Sequence, residues 1–75
     1  MMNKKIAKIL YGIAGLLEIK GVSFKPKAYR KAAQALENLD KDISEIYKKE
    51  SVKGIDKIPG IGKSISQKIE EYLKK

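Results

Sequence analysis

Ile58-Pro59-Gly60-Ile61-Gly62-Lys63-Ser64 is the stretch on which the reading of this chain turns. Proline fixes φ at the first corner of a turn, and the glycines that follow accept positive φ. Two glycines one residue apart let the backbone come very close to a neighbour, with the turn amides facing outward. Gly62, Lys63 and Ser64 then open a helix, whose first N–H groups lack internal partners and lie at the positive end of the dipole. Such a place suits an anion, most often a phosphate. The same spacing also serves a plain connection between two helices, so the rest of the chain has to decide.

Behind the turn, Ile65, Ile69, Tyr72 and Leu73 share one helical face as far as Leu73. Ahead of it, Ser51 is placed to cap a short turn that carries Val52 and Ile55 into the hairpin. The whole unit, about residues 51–73, reads as helix, hairpin, helix, with Ile55, Ile58, Ile61, Ile65 and Ile69 joining the arms. Further upstream, Asn3 is expected to cap a first helix running to about Lys20. Its apolar stripe is Ile6, Ile9, Leu10, Ile13 and Leu17, and Gly21 stops it. Gly12 and Gly15 weaken that helix by roughly 1 kcal/mol each relative to alanine, which predicts a second helix crossing closely there. Ser23-Phe24-Lys25-Pro26 starts a second helix with core positions Tyr29, Ala32, Ala33, Leu36 and Leu39. Asp42, with Glu45 at capping-box spacing, starts a third that buries Ile43, Ile46 and Tyr47. No segment alternates with period two. The expected fold is all-α, a compact four-helix domain spanning residues 1–75.

Composition narrows the function. Seventeen basic residues face nine acidic ones, a net charge of +8, and every basic residue except Arg30 is lysine. Such a balance favours a polyanion met through its phosphates, rather than bidentate reading of base edges. Cysteine and histidine are both absent, which removes thiolate chemistry, the usual general base and the usual zinc ligands. No apolar run is long enough to span a membrane. Gly62-Lys63-Ser64 matches the end of a nucleotide-binding P-loop, but that motif needs a glycine where Lys57 stands and a strand before it. A bound nucleotide is therefore not expected.

Two further features stand out. Counted at about 100° per residue from Ile61, Lys68 falls on the border of the buried arc of the last helix. It is the lysine of that helix placed to be partly desolvated, though a lysine stem covering the core edge with a wet ammonium has the same position. An unperturbed lysine is neutral roughly one time in a thousand at physiological pH, and burial and nearby cations raise that fraction. Glu71, one turn on, works against such a shift. The other feature is Phe24-Lys25-Pro26-Lys27-Ala28-Tyr29-Arg30-Lys31, basic residues around aromatics, which fits phosphate and sugar contacts as well as a core tyrosine among solvated lysines.

Ala28-Tyr29-Arg30-Lys31-Ala32-Ala33, then Ile58-Pro59-Gly60-Ile61-Gly62, then Ile65-x-x-Lys68-Ile69-x-x-Tyr72-Leu73 together resemble the small amino-terminal domain of family X DNA polymerases, the polymerase beta type. The likeness spans nearly the whole chain. It implies a four-helix domain with one helix-hairpin-helix motif that grips the DNA backbone without sequence preference. It also implies binding at the 5′-phosphate side of gapped or nicked DNA. In repair members, a lysine Schiff base removes 5′-deoxyribose phosphate by β-elimination, and the nucleophile's position falls on Lys68. The phosphate pocket carries over to Lys25, Tyr29 and Lys31, and the hairpin contacts to Gly60, Gly62, Lys63 and Ser64. Backbone carbonyls of Asp56, Ile58 and Ile61 would hold a monovalent cation, potassium or sodium, and no other cofactor is implied. Three pocket positions depart from the family pattern: Phe24 stands for a histidine, and Asp56 and Ser64 each stand for a lysine. The resemblance further implies a monomeric, intracellular domain belonging to a longer polymerase. Two other functions fit the residues: a non-catalytic DNA anchor of a structure-specific nuclease or other repair protein, and a protein-interaction domain whose charge serves solubility.

Overall fold

The computed structural model describes residues 2–74. Four helices follow one another: α1 (Met2–Ile19), α2 (Lys25–Glu37), α3 (Ile43–Asp56) and α4 (Lys63–Leu73), with no strand among the described residues. α1 and α2 lie antiparallel. Tyr11 donates to Glu37 at 2.8 Å and Glu18 pairs with Arg30, so the links advance in opposite directions along the two helices. Gly21 ends α1 at φ 77. The Val22 amide donates to the Leu17 carbonyl and the Gly21 amide to that of Glu18, the paired bonds of a Schellman cap.

One core joins the helices. Ile6, Ala7 and Leu10 of α1 meet Ala32, Ala33 and Leu36 of α2, Ile43 and Ile55 of α3, and Ile65 and Ile69 of α4. The expected stripe of α2 is the one observed, and that of α4 holds at Ile65, Ile69 and Leu73, whereas Tyr72 stands outside the core beside a surface depression; Tyr29, Leu39 and Leu73 pack partly buried at the edge. Each fully buried isoleucine or leucine contributes about 1.5–3 kcal/mol, so small changes in this short chain are felt.

α3 breaks at Ser51, whose backbone sits at φ 62 and ψ −158, leaving helical pieces over 43–50 and 52–56. The predicted short turn before the hairpin is the second of these. Lys57 clamps the break by pairing with Glu50 at 3.1 Å. Tyr47 donates to Glu70 at 2.9 Å and ties the first piece to α4.

Two expectations at α1 are corrected. Asn3 is not a cap; it lies inside the helix and is 3 % exposed. Its side chain donates to the Lys41 carbonyl at 2.7 Å and accepts from the Ile43 amide at 2.6 Å. It thus satisfies backbone groups of a distant loop that would otherwise be buried unpaired. Nor does any helix cross α1 at its glycines: a Cβ at Gly12 or Gly15 would meet nothing within 4 Å. The α1–α2 contact runs along the opposite face, through Ala7, Leu10 and Ala14. At the start of α3, Asp42 caps as expected, accepting from the Ser44 amide at 3.0 Å. Its second carboxylate oxygen is occupied by the Met2 amide rather than completing a capping box with Glu45.

Asn3→Ala is expected to lower stability by about 1–3 kcal/mol in a denaturant titration, because the Ile43 amide loses its buried acceptor. Gly12→Ala and Gly15→Ala should each raise stability, by up to about 1 kcal/mol. A loss from either would mean that something packs on that face. The Asp42 carboxyl is held below its ordinary value, chiefly by the Ser44 amide and further by the Met2 amide and the Ser44 hydroxyl. A depressed folded-state pKa contributes stability above the unfolded value, about 3.9, that is lost as pH falls through the folded one. Asp42→Asn should therefore flatten the acid limb of a melting-temperature profile below about pH 4.

Candidate nucleic-acid interface

The hairpin is a tight turn over 58–61, closed by the Ile61 amide donating to the Ile58 carbonyl at 3.2 Å. Pro59 takes the first corner and Gly60, at φ 95, the second, the geometry of a type II turn. The two glycines do different work. A Cβ on Gly60 would stand 3.3 Å from the Ala35 Cβ and 3.6 Å from the Lys31 carbonyl, so its close approach is to α2. Gly62 is in extended backbone at φ −78 and ψ 167, with open space where a Cβ would go. The expectation of positive φ therefore holds at Gly60 and is corrected at Gly62, which is the accessible N-cap of α4.

With Gly60 seated on α2 at Lys31 and Ala35, the first turns of α2 and the length of α4 border one surface groove. Lys25, Ala28 and Tyr29 from α2 face Ser64, Gln67 and Lys68 from α4 across a surface groove of about 270 Å³. Neither helix has an acidic residue in its first turn, and neither N-cap residue, Phe24 or Gly62, supplies a side-chain acceptor. The leading amides of α4 thus have no capping side chain, at the positive end of its dipole, whereas at α2 the Lys25 amide donates to the Ser23 carbonyl at 2.8 Å and Pro26 has no N–H, which leaves the Lys27 amide. α3 is the contrast, because there Asp42 fills the same role internally. Lys25, Lys27, Lys31 and Lys63 are exposed and have no ion pair among the described residues. The Lys31 stem runs past the hairpin, its Cγ 3.7 Å from where a Gly60 Cβ would be. Arg30, the only arginine, is engaged with Glu18.

Lys68 is half exposed, at 46 % of its side chain, and its Nζ lies 3.8 Å from Glu71 Oε2. It separates the groove from a second depression of about 450 Å³, bordered also by Glu71, Tyr72 and Lys74. Among the expected residues, the fold thus gathers Lys25, Tyr29, Ser64 and Lys68 in one place. Lys31, Lys63 and Gly62 lie nearby on the elements that form it, and Gly60 faces inward.

One contact has no signal in the sequence. Ser66 is fully buried, and its single hydroxyl hydrogen is shared between Asp56 across the hairpin and the Lys63 carbonyl at 2.8 Å. Asp56 is thereby tied to α4 and is not among the residues that line the groove. The Ile58 carbonyl accepts the turn's own hydrogen bond and keeps a second lone pair. Among the described residues no group of acidic side chains gathers to hold a metal, so a cation here would rest on backbone carbonyls. Among the described residues no helix is long and apolar enough to cross a membrane.

This combination of hairpin, flanking helices and paired N-termini defines a helix-hairpin-helix domain. The family model of that name matches residues 1–75, and the chain belongs to that family. Within it, the chain is similar to the DNA polymerase/3'-5' exonuclease PolX of Bacillus subtilis (strain 168), at 40% identity over 74 residues. That match covers 97% of this chain and 12% of the polymerase, and it agrees with the family X resemblance carried by the motifs. No solved structure gives a significant match.

Gly60→Ala is expected to cost more than 1 kcal/mol in thermal unfolding, since positive φ and the Ala35 contact both oppose a side chain. Gly62→Ala should stay within roughly 0.5 kcal/mol of the parent.

Proposed function

We propose that the chain is the DNA-binding domain of a family X polymerase, gripping the backbone of gapped or nicked DNA at a 5′-phosphate without reading its sequence. The observation that carries this reading is the groove between the start of α2 and α4, with no acid in the first turn of either helix and with Lys25, Lys27, Lys31 and Lys63 on those elements paired with no acid among the described residues. With the sole arginine engaged elsewhere, phosphates are the natural target and base edges are not. Lys25, Tyr29, Lys31, Lys63, Ser64 and the Gly62 amide region would take the phosphates. A monovalent cation on the carbonyls of Asp56, Ile58 and Ile61 would bridge the hairpin to one of them. The remainder of a polymerase chain is the expected partner in the whole protein. The lyase reading adds Schiff-base removal of 5′-deoxyribose phosphate through Lys68, which stands on the rim of the same groove.

A second reading, a non-catalytic DNA anchor, draws on Asp56. The family's lysine at that position would add to the phosphate pocket, whereas here a carboxylate is spent on Ser66.

Charge reversal separates a local site from bulk charge. Lys25→Glu and Lys63→Glu should each weaken binding to a 5′-phosphorylated gapped duplex by about tenfold or more, while Lys49→Glu, with the same change in net charge, should do much less. The log–log salt slope should fall by roughly 1 for each phosphate contact removed, with little dependence on DNA sequence. Equal losses from all three would reduce the site to general charge. Borohydride in the presence of a 5′-incised abasic duplex should trap an adduct with the parent chain and not with Lys68→Ala; no adduct with the parent leaves the anchor reading.

A further inference from the structure

Resting on the lyase reading of Lys68, we infer that Glu71 is the proton acceptor of the elimination step. β-Elimination needs a base beside the amine, and this chain has no histidine to supply one. Its nine acidic residues are almost all accounted for. Glu18, Glu37, Asp42, Glu50, Asp56 and Glu70 each hold a bond that ties elements of the fold together. Asp40 lies in the turn after α2, and Glu45 lies in the first turn of α3. Glu71 is the carboxylate that borders the groove, and it also borders the depression on the other side of Lys68. Gln67, the other polar side chain of α4 beside Lys68 in the groove, is an amide and does not take up a proton.

The distances suit the step. Glu71 Oε2 lies 3.8 Å from Lys68 Nζ, one helical turn along the same face. Once Nζ has condensed with the C1′ aldehyde and released water, C2′ is two bonds from Nζ. A carboxylate oxygen at that separation reaches the C2′ hydrogen by side-chain rotation alone. Glu71 takes that proton, later lost to water, and the C2′–H electron pair forms the C1′=C2′ bond while the π pair of the protonated imine moves onto nitrogen to give the neutral enamine. Return of the pair makes the C2′=C3′ bond and breaks the C3′–O bond, and the leaving electrons stay with the phosphate oxygen of the downstream strand. Water then hydrolyses the imine and frees Lys68. The sequence is redox-neutral and needs no other reactant. At 68 % exposure, the Glu71 side chain is free of any packing role, so its replacement leaves the fold intact.

The test uses the full chain and a 5′-incised abasic duplex, and reads two quantities. Borohydride trapping reports imine formation, and single-turnover release of the 5′-phosphate end reports elimination. Glu71→Gln should trap adduct at least as fast as the parent, since the ion pair that holds Lys68 charged is gone, and eliminate about a hundredfold more slowly, the scale of a lost general base. Glu71→Asp should regain part of the rate. Elimination by Glu71→Gln at the parental rate would overturn the assignment and leave the lyase reading standing. Parallel loss of trapping and elimination would also overturn it, by placing Glu71 before the imine. A parent chain that traps nothing would overturn the lyase reading, and this inference with it.

Discussion

Gly60 lies against α2 with no side chain between them, its φ of 95 allowed only because it carries none. That contact sets how deep the hairpin sits, and so where α4 begins relative to α2. Were Gly60 held away by even a methyl group, Ser64 and Lys68 would move off Lys25 and Tyr29 and the groove would open. The isoleucines on either side, Ile58, Ile61 and Ile65, fill the space below the turn. The Asp56–Ser66 bond closes the arms from within. Burial fixes the turn, and the turn fixes the site.

The charge distribution follows the same logic. Three helix starts are fully visible in their capping, and they differ. α3 neutralises its own N-terminus with Asp42, whereas α2 and α4 begin with lysines and no acid. Lysine beside a helix N-terminus is unfavourable for the isolated helix, by a few tenths of a kcal/mol or more. An anion shared by both ends would offset that cost. The acidic residues, in contrast, are largely taken up by links within the fold: Glu37 to Tyr11, Glu70 to Tyr47, Glu50 to Lys57, Glu18 to Arg30. These links push both tyrosine hydroxyls to higher pKa, chiefly through the hydrogen bond to each carboxylate. With the acids so occupied, the exposed lysines dominate the outer field.

Much of this was legible in the sequence because it is local. The three- and four-residue spacing of Ile65 and Ile69, and of Ala32, Ala33 and Leu36, gave the buried faces. Pro59-Gly60 gave the turn, and Asp42 the start of α3. The difference between the glycines was also available in principle, since a type II turn demands positive φ only at its second corner, which is Gly60. What stayed hidden depends on residues far apart in the chain. Asn3 looks like a cap until its partners, some forty residues away, are known. Gly12 and Gly15 suggest a crossing helix, but helical periodicity alone does not say which face a neighbour takes. Ser66 carries no distinguishing signal in the sequence, and only the folded hairpin sets it beside Asp56.

The most direct test of the account is an amide chemical-shift map of the chain titrated with 5′-phosphorylated gapped DNA. The account predicts that the largest shifts fall on the amides of Lys25, residues 27–29 and residues 62–65, at the two N-termini without side-chain caps, and that α3 over 43–50 stays nearly silent. Shifts centred on α3, with those two helix starts unmoved, would contradict it.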